Sequence, residues 1–154
     1  MSSFRVHALS NSYLDRIRAQ GVDDFSNPVV ASRERAGAPL RCCLREALGG
    51  EAVALIAYQP STFGGPYAEI GPIFVHADAC GGYPDTGRYP QAFRHRQQVL
   101  RVYDADGNQI YNLNRIIEGR DAEGAITDVL ARHQVSYLHS RNVLAGCYMF
   151  TITR

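Results

Sequence analysis

Two histidine–cysteine pairs are the residues of this sequence best suited to chemistry. His76 and Cys80 lie four positions apart, and His139 and Cys147 lie eight apart. Imidazole nitrogens and thiolates are ligands of tetrahedral zinc, so the four residues together could form one zinc site. Neither pair has the tight spacing, Cys-x-x-Cys or His-x-x-x-His, that is typical of zinc motifs. The sequence therefore allows a zinc cofactor at these four residues without predicting one.

The same residues also suit nucleophilic chemistry. A thiol in a loop after a strand, near a base and an acid, is the minimum for a Cys-His pair. Here Cys80 would be the nucleophile, His76 or His139 the base, and Asp78 or Glu69 the group that orients the base. A third interpretation is structural, because isolated cysteines are usually buried as small apolar side chains. The sequence allows all three interpretations.

A second candidate set surrounds Glu69, which lies in an otherwise apolar segment beside Gly71-Pro72. A carboxylate there must be exposed or paired, since burying it alone is costly. Arg141 is a candidate partner. We take Tyr67, Glu69, Arg141 and Asn142 as candidate ligand-binding residues.

Two functional hypotheses follow from these residues. The first is a small-molecule-binding domain, with or without catalysis, whose polar pocket lies between residues 67–80 and 137–147. Its ligand would be a small anion that contacts Arg141. The alternative is a non-catalytic protein that acts by association, for instance as a homodimer pairing through an exposed strand edge, with structural His and Cys residues.

Composition excludes several other classes of function. The net charge is +1, without the basic excess typical of nucleic-acid binders. All sixteen basic residues are Arg, so lysine Schiff-base and P-loop chemistry are excluded. No segment resembles a signal peptide or a membrane span. We therefore expect a cytoplasmic protein with reduced cysteines and no disulfide, since adjacent Cys42 and Cys43 are poorly placed to bridge.

Two further motifs are better explained as turns. Asp104-Ala-Asp-Gly-Asn108 resembles a calcium loop but lacks the required Gly and Glu at the sixth and twelfth positions. Gly64-Gly65-Pro66 is followed by a strand-like segment instead of the helix that a phosphate-binding loop opens.

The elements that must position these residues are mostly strands joined by turns. A first strand is predicted at 4–9 and a helix capped by Ser12 and stopped by Gly21. Further strands are predicted at 40–44, 51–58, 67–77 (bent at Gly71-Pro72), 98–104, 108–113, 135–139 and 147–153, with helices at 90–96 and after Asp121. This pattern predicts a single α+β domain over residues 1–154. Its sheet would be antiparallel or mixed, barrel-like in one variant, with two or three short helices packed on it.

Three segments resemble the bacterial domain-of-unknown-function family 1203. They are Gly65-Pro-Tyr-Ala-Glu-Ile-Gly-Pro-Ile-Phe-Val-His76 followed by Cys80, Tyr89-Pro-Gln-Ala-Phe-Arg-His-Arg, and His139-Ser-Arg-Asn142 through Gly146-Cys147-Tyr-Met-Phe. The similarity extends over essentially the whole chain and is closer from residue 40 onward. It implies a stand-alone bacterial protein and carries no assigned activity, cofactor or partner.

Overall fold

The computed structural model describes residues 3–154, which form seven β-strands and two α-helices. In chain order these are β1 (Arg5–His7), α1 (Asn11–Gln20), β2 (Val53–Tyr58), β3 (Gly71–His76), β4 (Gln97–Tyr103), β5 (Arg115–Glu118), α2 (Ala122–Leu130), β6 (Tyr137–Arg141) and β7 (Tyr148–Thr153). Single 3-10 turns lie at 91–93, 111–113 and 119–121. Of the helices in residues 3–154, none is long and apolar enough to cross a membrane.

All strand pairs are antiparallel, and they form two separate sheets. One sheet has the order β1-β7-β6-β4-β5, and β2 pairs with β3 in a two-stranded hairpin. The predicted α+β class with an antiparallel sheet is confirmed, and the strands do not close into a barrel. Pro72 lies in β3, an edge strand of the two-stranded hairpin, and an edge strand tolerates a residue without an amide hydrogen.

The first of two hydrophobic cores lies between the five-stranded sheet and α2. Alternate residues of the strands, such as Leu100 and Leu138, face Ile126 and Val129 of the helix. This alternation follows from the period of two in a strand, and the helical residues follow the spacing of one helix face.

The second core joins α1, the β2–β3 hairpin and residues 38–47. Helix α1 buries Leu14 and Ile17, and it ends at Gly21, whose φ of 72° is the left-handed conformation favoured by glycine. The capping residue is Ser10, which accepts a hydrogen bond from the Tyr13 amide at 3.2 Å. The cap therefore lies two residues before the predicted cap at Ser12.

The predicted strand at 40–44 is wrong, because these residues form a tight turn. The Leu44 amide donates to the Leu40 carbonyl at 3.0 Å, and the Leu40 amide donates to the Arg45 carbonyl at 2.9 Å. Leu44 adopts a positive φ of 55°. Consecutive residues of this turn are buried, including Arg41 and Cys42, whereas a strand would place them on opposite faces.

Smaller corrections concern strand ends and one strand partner. The predicted strand at 67–77 begins only at Gly71, and the predicted helix at 90–96 is a single 3-10 turn. The strand that pairs with β4 is 115–118, and of the predicted segment 108–113 only residues 108–110 bond to the end of β4. The Asn114 side chain accepts the Val102 amide hydrogen at 2.9 Å, which satisfies that strand amide before β5 begins.

Candidate metal centre

The tight turn at 40–44 brings two adjacent cysteines against the end of β3. The Sγ atoms of Cys42 and Cys43 lie 3.3 Å and 3.7 Å from Nδ1 of His76, and 3.9 Å from each other. Cys80, in the loop after β3, completes the group. The three sulfur atoms and the imidazole nitrogen all lie within 4.8 Å of one another.

These separations fit tetrahedral coordination. Zinc binds cysteine sulfur at about 2.3 Å and histidine nitrogen at about 2.0 Å, which gives a tetrahedron with edges of roughly 3.3–3.8 Å. The observed distances of 3.3, 3.7 and 3.9 Å are close to such edges. The four side chains could therefore bind one metal ion with little movement.

The second nitrogen of His76 is held by a carboxylate. His76 Nε2 lies 2.8 Å from Oε2 of Glu51. The Glu51 carboxylate also accepts two hydrogen bonds from Arg45, both at 2.7 Å, and one from the Leu48 amide at 2.6 Å. The Arg45 contacts, followed by the Leu48 amide, hold the pKa of Glu51 well below its usual range. An ionised Glu51 accepts a hydrogen bond from an N–H at Nε2, and this arrangement leaves Nδ1 as the nitrogen that faces the sulfurs.

The three thiols differ in their surroundings. The hydrogen bond with Cys43, and then burial, raises the pKa of Cys42, and the same contact with Cys42 lowers the pKa of Cys43. Burial raises the pKa of Cys80. The His76 amide opposes the raised pKa of Cys42, because it donates a hydrogen bond to Cys42 Sγ at 3.3 Å. The Arg45 amide likewise contributes to the lowered pKa of Cys43, whereas the Gly82 amide opposes burial at Cys80 without overcoming it, so that the pKa of Cys80 stays raised.

Three sulfurs in this space resist ionising together unless a cation joins them, because their negative charges would repel in a partly buried site. A divalent ion supplies that charge, and the backbone amides around the sulfurs stabilise the thiolate form.

The structure places His139 and Cys147, the other predicted ligands, outside this group. The His139 ring packs among three tyrosines, with centroid distances of 4.7 Å to Tyr103, 5.4 Å to Tyr137 and 5.1 Å to Tyr148. Cys147 Sγ accepts hydrogen bonds from Arg41 at 3.1 Å and Asn142 at 2.9 Å. Thus His76 and Cys80 are brought together with Cys42 and Cys43 instead, and the catalytic roles considered for His76, Cys80 and His139 stay predictions.

The candidate ligand-binding residues are divided between two places. Glu69 pairs with Arg101 at 2.8 Å and with Arg141 at 3.5 Å, and it lines a cavity together with Arg141 and Asn142. This cavity lies between the β2–β3 hairpin and the turn that connects β6 to β7. The Tyr67 hydroxyl bonds that of Tyr111 at 2.7 Å, and Tyr67 is absent from the lining of this cavity.

The family model whose description is "protein of unknown function (DUF1203)" matches residues 37–154. The chain belongs to the DUF1203 family. The matched part contains all four residues of the candidate metal centre and Glu51, whereas β1 and α1 precede it. No curated protein and no solved structure matches the chain.

Sequence reasoning on this DUF1203 protein missed Cys42, Cys43 and Glu51. The predicted strand at 40–44 puts the two adjacent cysteines on opposite faces, where they cannot bind the same ion. The available signal was the Cys-Cys dipeptide followed closely by Arg45 and Glu51, together with the nearby His76 and Cys80. These residues form one site only because the turn at 40–44 brings both cysteines next to His76.

Proposed function

We propose that Cys42, Cys43, His76 and Cys80 bind one zinc ion and that this ion is structural. The observation that carries the proposal is the convergence of three sulfurs and Nδ1 of His76 within 4.8 Å. Four protein ligands complete a tetrahedron and leave no position for a substrate or reactive water. The ion would link the 40–44 turn to the end of β3 and to the loop that follows it.

The ligand types favour zinc over harder cations. Thiolates and imidazole suit zinc, whereas calcium and magnesium require oxygen ligands. Glu51 also favours zinc binding, because its carboxylate lies 2.8 Å from Nε2 of His76 and orients the ring for metal ligation. Because zinc-binding thiolates must stay reduced, the proposal also implies a reducing compartment such as the cytoplasm.

A second candidate function is thiol chemistry without a metal. Its support is a chain of contacts in which the Cys43 thiol meets the His76 imidazole and the imidazole meets the Glu51 carboxylate. The lowered pKa of Cys43 also favours it. The longer 3.7 Å contact between Cys43 and His76 and the two neighbouring thiols suit metal binding better. The raised pKa of Cys80 argues against Cys80 as the nucleophile.

Metal analysis of the purified protein, before and after zinc reconstitution under reducing conditions, tests the proposal. We expect about one zinc per chain, bound tightly enough to resist a weak chelator. Cys80→Ser should lower zinc affinity by at least about 100-fold, because it removes a thiolate ligand.

Cys147→Ser is the matched control, since Cys147 is a free thiol outside the group. It should bind zinc like the unaltered chain. A protein that takes up no zinc, or a Cys80→Ser variant that binds it as tightly as Cys147→Ser, would falsify the proposal. A metal-free protein whose Cys43 alone alkylates rapidly at neutral pH would favour thiol chemistry.

A further inference from the structure

The cavity between the β2–β3 hairpin and the β6–β7 turn has the size of a small-molecule site. It encloses about 460 Å³, within the usual range for such pockets. Its walls are mainly apolar side chains. Among them, Leu55 and Ile70 are substantially exposed to solvent, which leaves apolar surface available to a ligand.

Two buried guanidinium groups line this cavity. Arg41 is 1% exposed and Arg141 is 6% exposed. Arg41 donates to uncharged acceptors, namely the carbonyls of Tyr148 (2.7 Å) and Pro39 and the thiol of Cys147 (3.1 Å). Burying a cation beside neutral acceptors alone is costly. An anion bound next to Arg41 would offset this cost.

Arg141 is also incompletely paired. Its Nη1 donates to the Gly146 carbonyl at 3.0 Å, and within residues 3–154 its buried Nε has no hydrogen-bond partner. The carboxylate nearest to it, that of Glu69, is 48% exposed and is shared with Arg101 at 2.8 Å. The ionisable lining of the cavity therefore carries more positive than negative charge.

We propose that this cavity binds a small organic carboxylate with an apolar body. The carboxylate would pair with Arg141 and Arg41, as planar guanidinium groups pair with carboxylates. The apolar body would cover the wall formed by Leu55, Ile70 and their neighbours. This site goes beyond the zinc proposal, because neither Arg141 nor Glu69 is among the four metal-binding residues.

Isothermal titration of the full chain with octanoate, 1-octanol and acetate at pH 7.5 tests the proposal. Octanoate should bind at least tenfold more tightly than either of the others, since octanol lacks the charge and acetate lacks the apolar body. Arg141→Met should weaken octanoate binding at least tenfold, about 1.4 kcal/mol, and leave octanol binding within twofold. Arg16→Met, which removes the same charge from the exposed face of α1, is the control and should bind octanoate normally.

Glu69→Gln provides an independent test should Arg141→Met fail to fold by circular dichroism. Removing the carboxylate that competes for Arg141 should tighten octanoate binding several-fold. The proposal is overturned if octanol binds as well as octanoate, if folded Arg141→Met keeps its octanoate affinity, or if Glu69→Gln weakens it. Zinc content measured on the same samples separates this result from the zinc proposal, since either can fail without the other.

Discussion

At the scale of single residues, the candidate centre depends on which atoms face each other. His76 and Cys80 were recognised in the sequence because a histidine and a cysteine close together in an apolar region are chemically unusual. Their partners could not be recognised, since the direction of a side chain in an irregular turn depends on backbone angles such as the positive φ of Leu44. Glu51 was missed because its role depends on a tertiary contact with His76.

Replacing Glu51 should weaken zinc binding without removing a ligand. In Glu51→Gln, the His76 ring loses its charged partner, and Nδ1 becomes a weaker and less well oriented ligand. We expect zinc affinity to fall about 10- to 100-fold, measured by competition with a chromophoric chelator. Glu46→Gln is the control, because Glu46 contacts His95 and Arg96 instead of the cluster. Equal affinities for the two variants would show that Glu51 does not act on the metal through His76.

His139 should make the protein sensitive to acid. Burial, followed by Arg141 and Arg101, lowers the pKa of His139 to about 3, against about 6.5 in an unfolded chain. Between these values the unfolded state binds a proton that the native state does not, so stability decreases as pH falls below 6.5. The loss from this residue can reach about 1.4 kcal/mol per pH unit.

His139→Phe keeps a ring among the tyrosines and removes the titration. Urea unfolding between pH 7 and pH 4.5 should therefore show a shallower loss of stability than in the unaltered chain. His133→Gln, which replaces an exposed histidine outside this group of rings, is the control variant. If His139→Phe and His133→Gln show the same slope, His139 is not the source of the acid sensitivity.

At the scale of elements, the regular parts of the fold were predictable and the connections were not. Short apolar-rich segments between turn signals located β1, β2, β4 and β7 within a few residues, and Gly21 marked the end of α1. The turn at 40–44 resembles a strand because Leu40, Cys42 and Leu44 alternate with Arg41 and Cys43. A buried arginine in a turn breaks the polar-out rule on which that prediction depends.

One carboxylate in a loop shows how such connections are stabilised. Asp23 accepts the amide hydrogens of Phe25 (2.8 Å) and Asn27 (3.0 Å), and that of Ala57 in β2 (2.8 Å). Although burial raises the pKa of Asp23, these amides outweigh burial and lower it. The side chain thus fixes the loop after α1 to the free edge of the hairpin.

Asp23→Ala should lower the free energy of unfolding by about 1–3 kcal/mol, because it leaves three part-buried backbone amides without their acceptor. Urea titration of the variant and of the unaltered chain would measure this difference in the free energy of unfolding. The adjacent Asp24 is exposed and pairs with Arg16, so Asp24→Ala should cost less than about 1 kcal/mol. Similar costs for both variants would mean that the Asp23 contacts contribute little.

At the scale of the whole molecule, the metal centre and the larger sheet belong to different hydrophobic cores. The five-stranded sheet and α2 form one core, and α1, the hairpin and the 38–47 segment form the other. The four candidate metal ligands lie in or beside the second core, and the proposed carboxylate cavity lies between the hairpin and the sheet. Homodimer formation through a strand edge stays a prediction that native mass spectrometry can test.

Because the candidate ligands lie in or beside the second core, loss of zinc should destabilise that part of the structure and not the five-stranded sheet. Chelation should speed amide hydrogen exchange in residues 38–58 and 71–82, including the Arg41 amide that bonds the Phe74 carbonyl at 2.9 Å. Strands β4 and β6 should change little, because their hydrogen bonds and core lie apart from the ligands. Exchange that rises equally in both regions, or in neither, would contradict a local structural role for the ion.

Zinc X-ray absorption spectroscopy of the reconstituted protein is the sharpest test of the metal centre, since it counts and identifies the ligand atoms. We expect a tetrahedral shell of three sulfurs at about 2.3 Å and one nitrogen at about 2.0 Å. Cys43→Ser should reduce the shell to two sulfurs, which would confirm that both adjacent cysteines bind the same ion. A shell made only of nitrogen and oxygen, or a chain that holds no zinc at all, would show that the three cysteines and His76 do not form a zinc site.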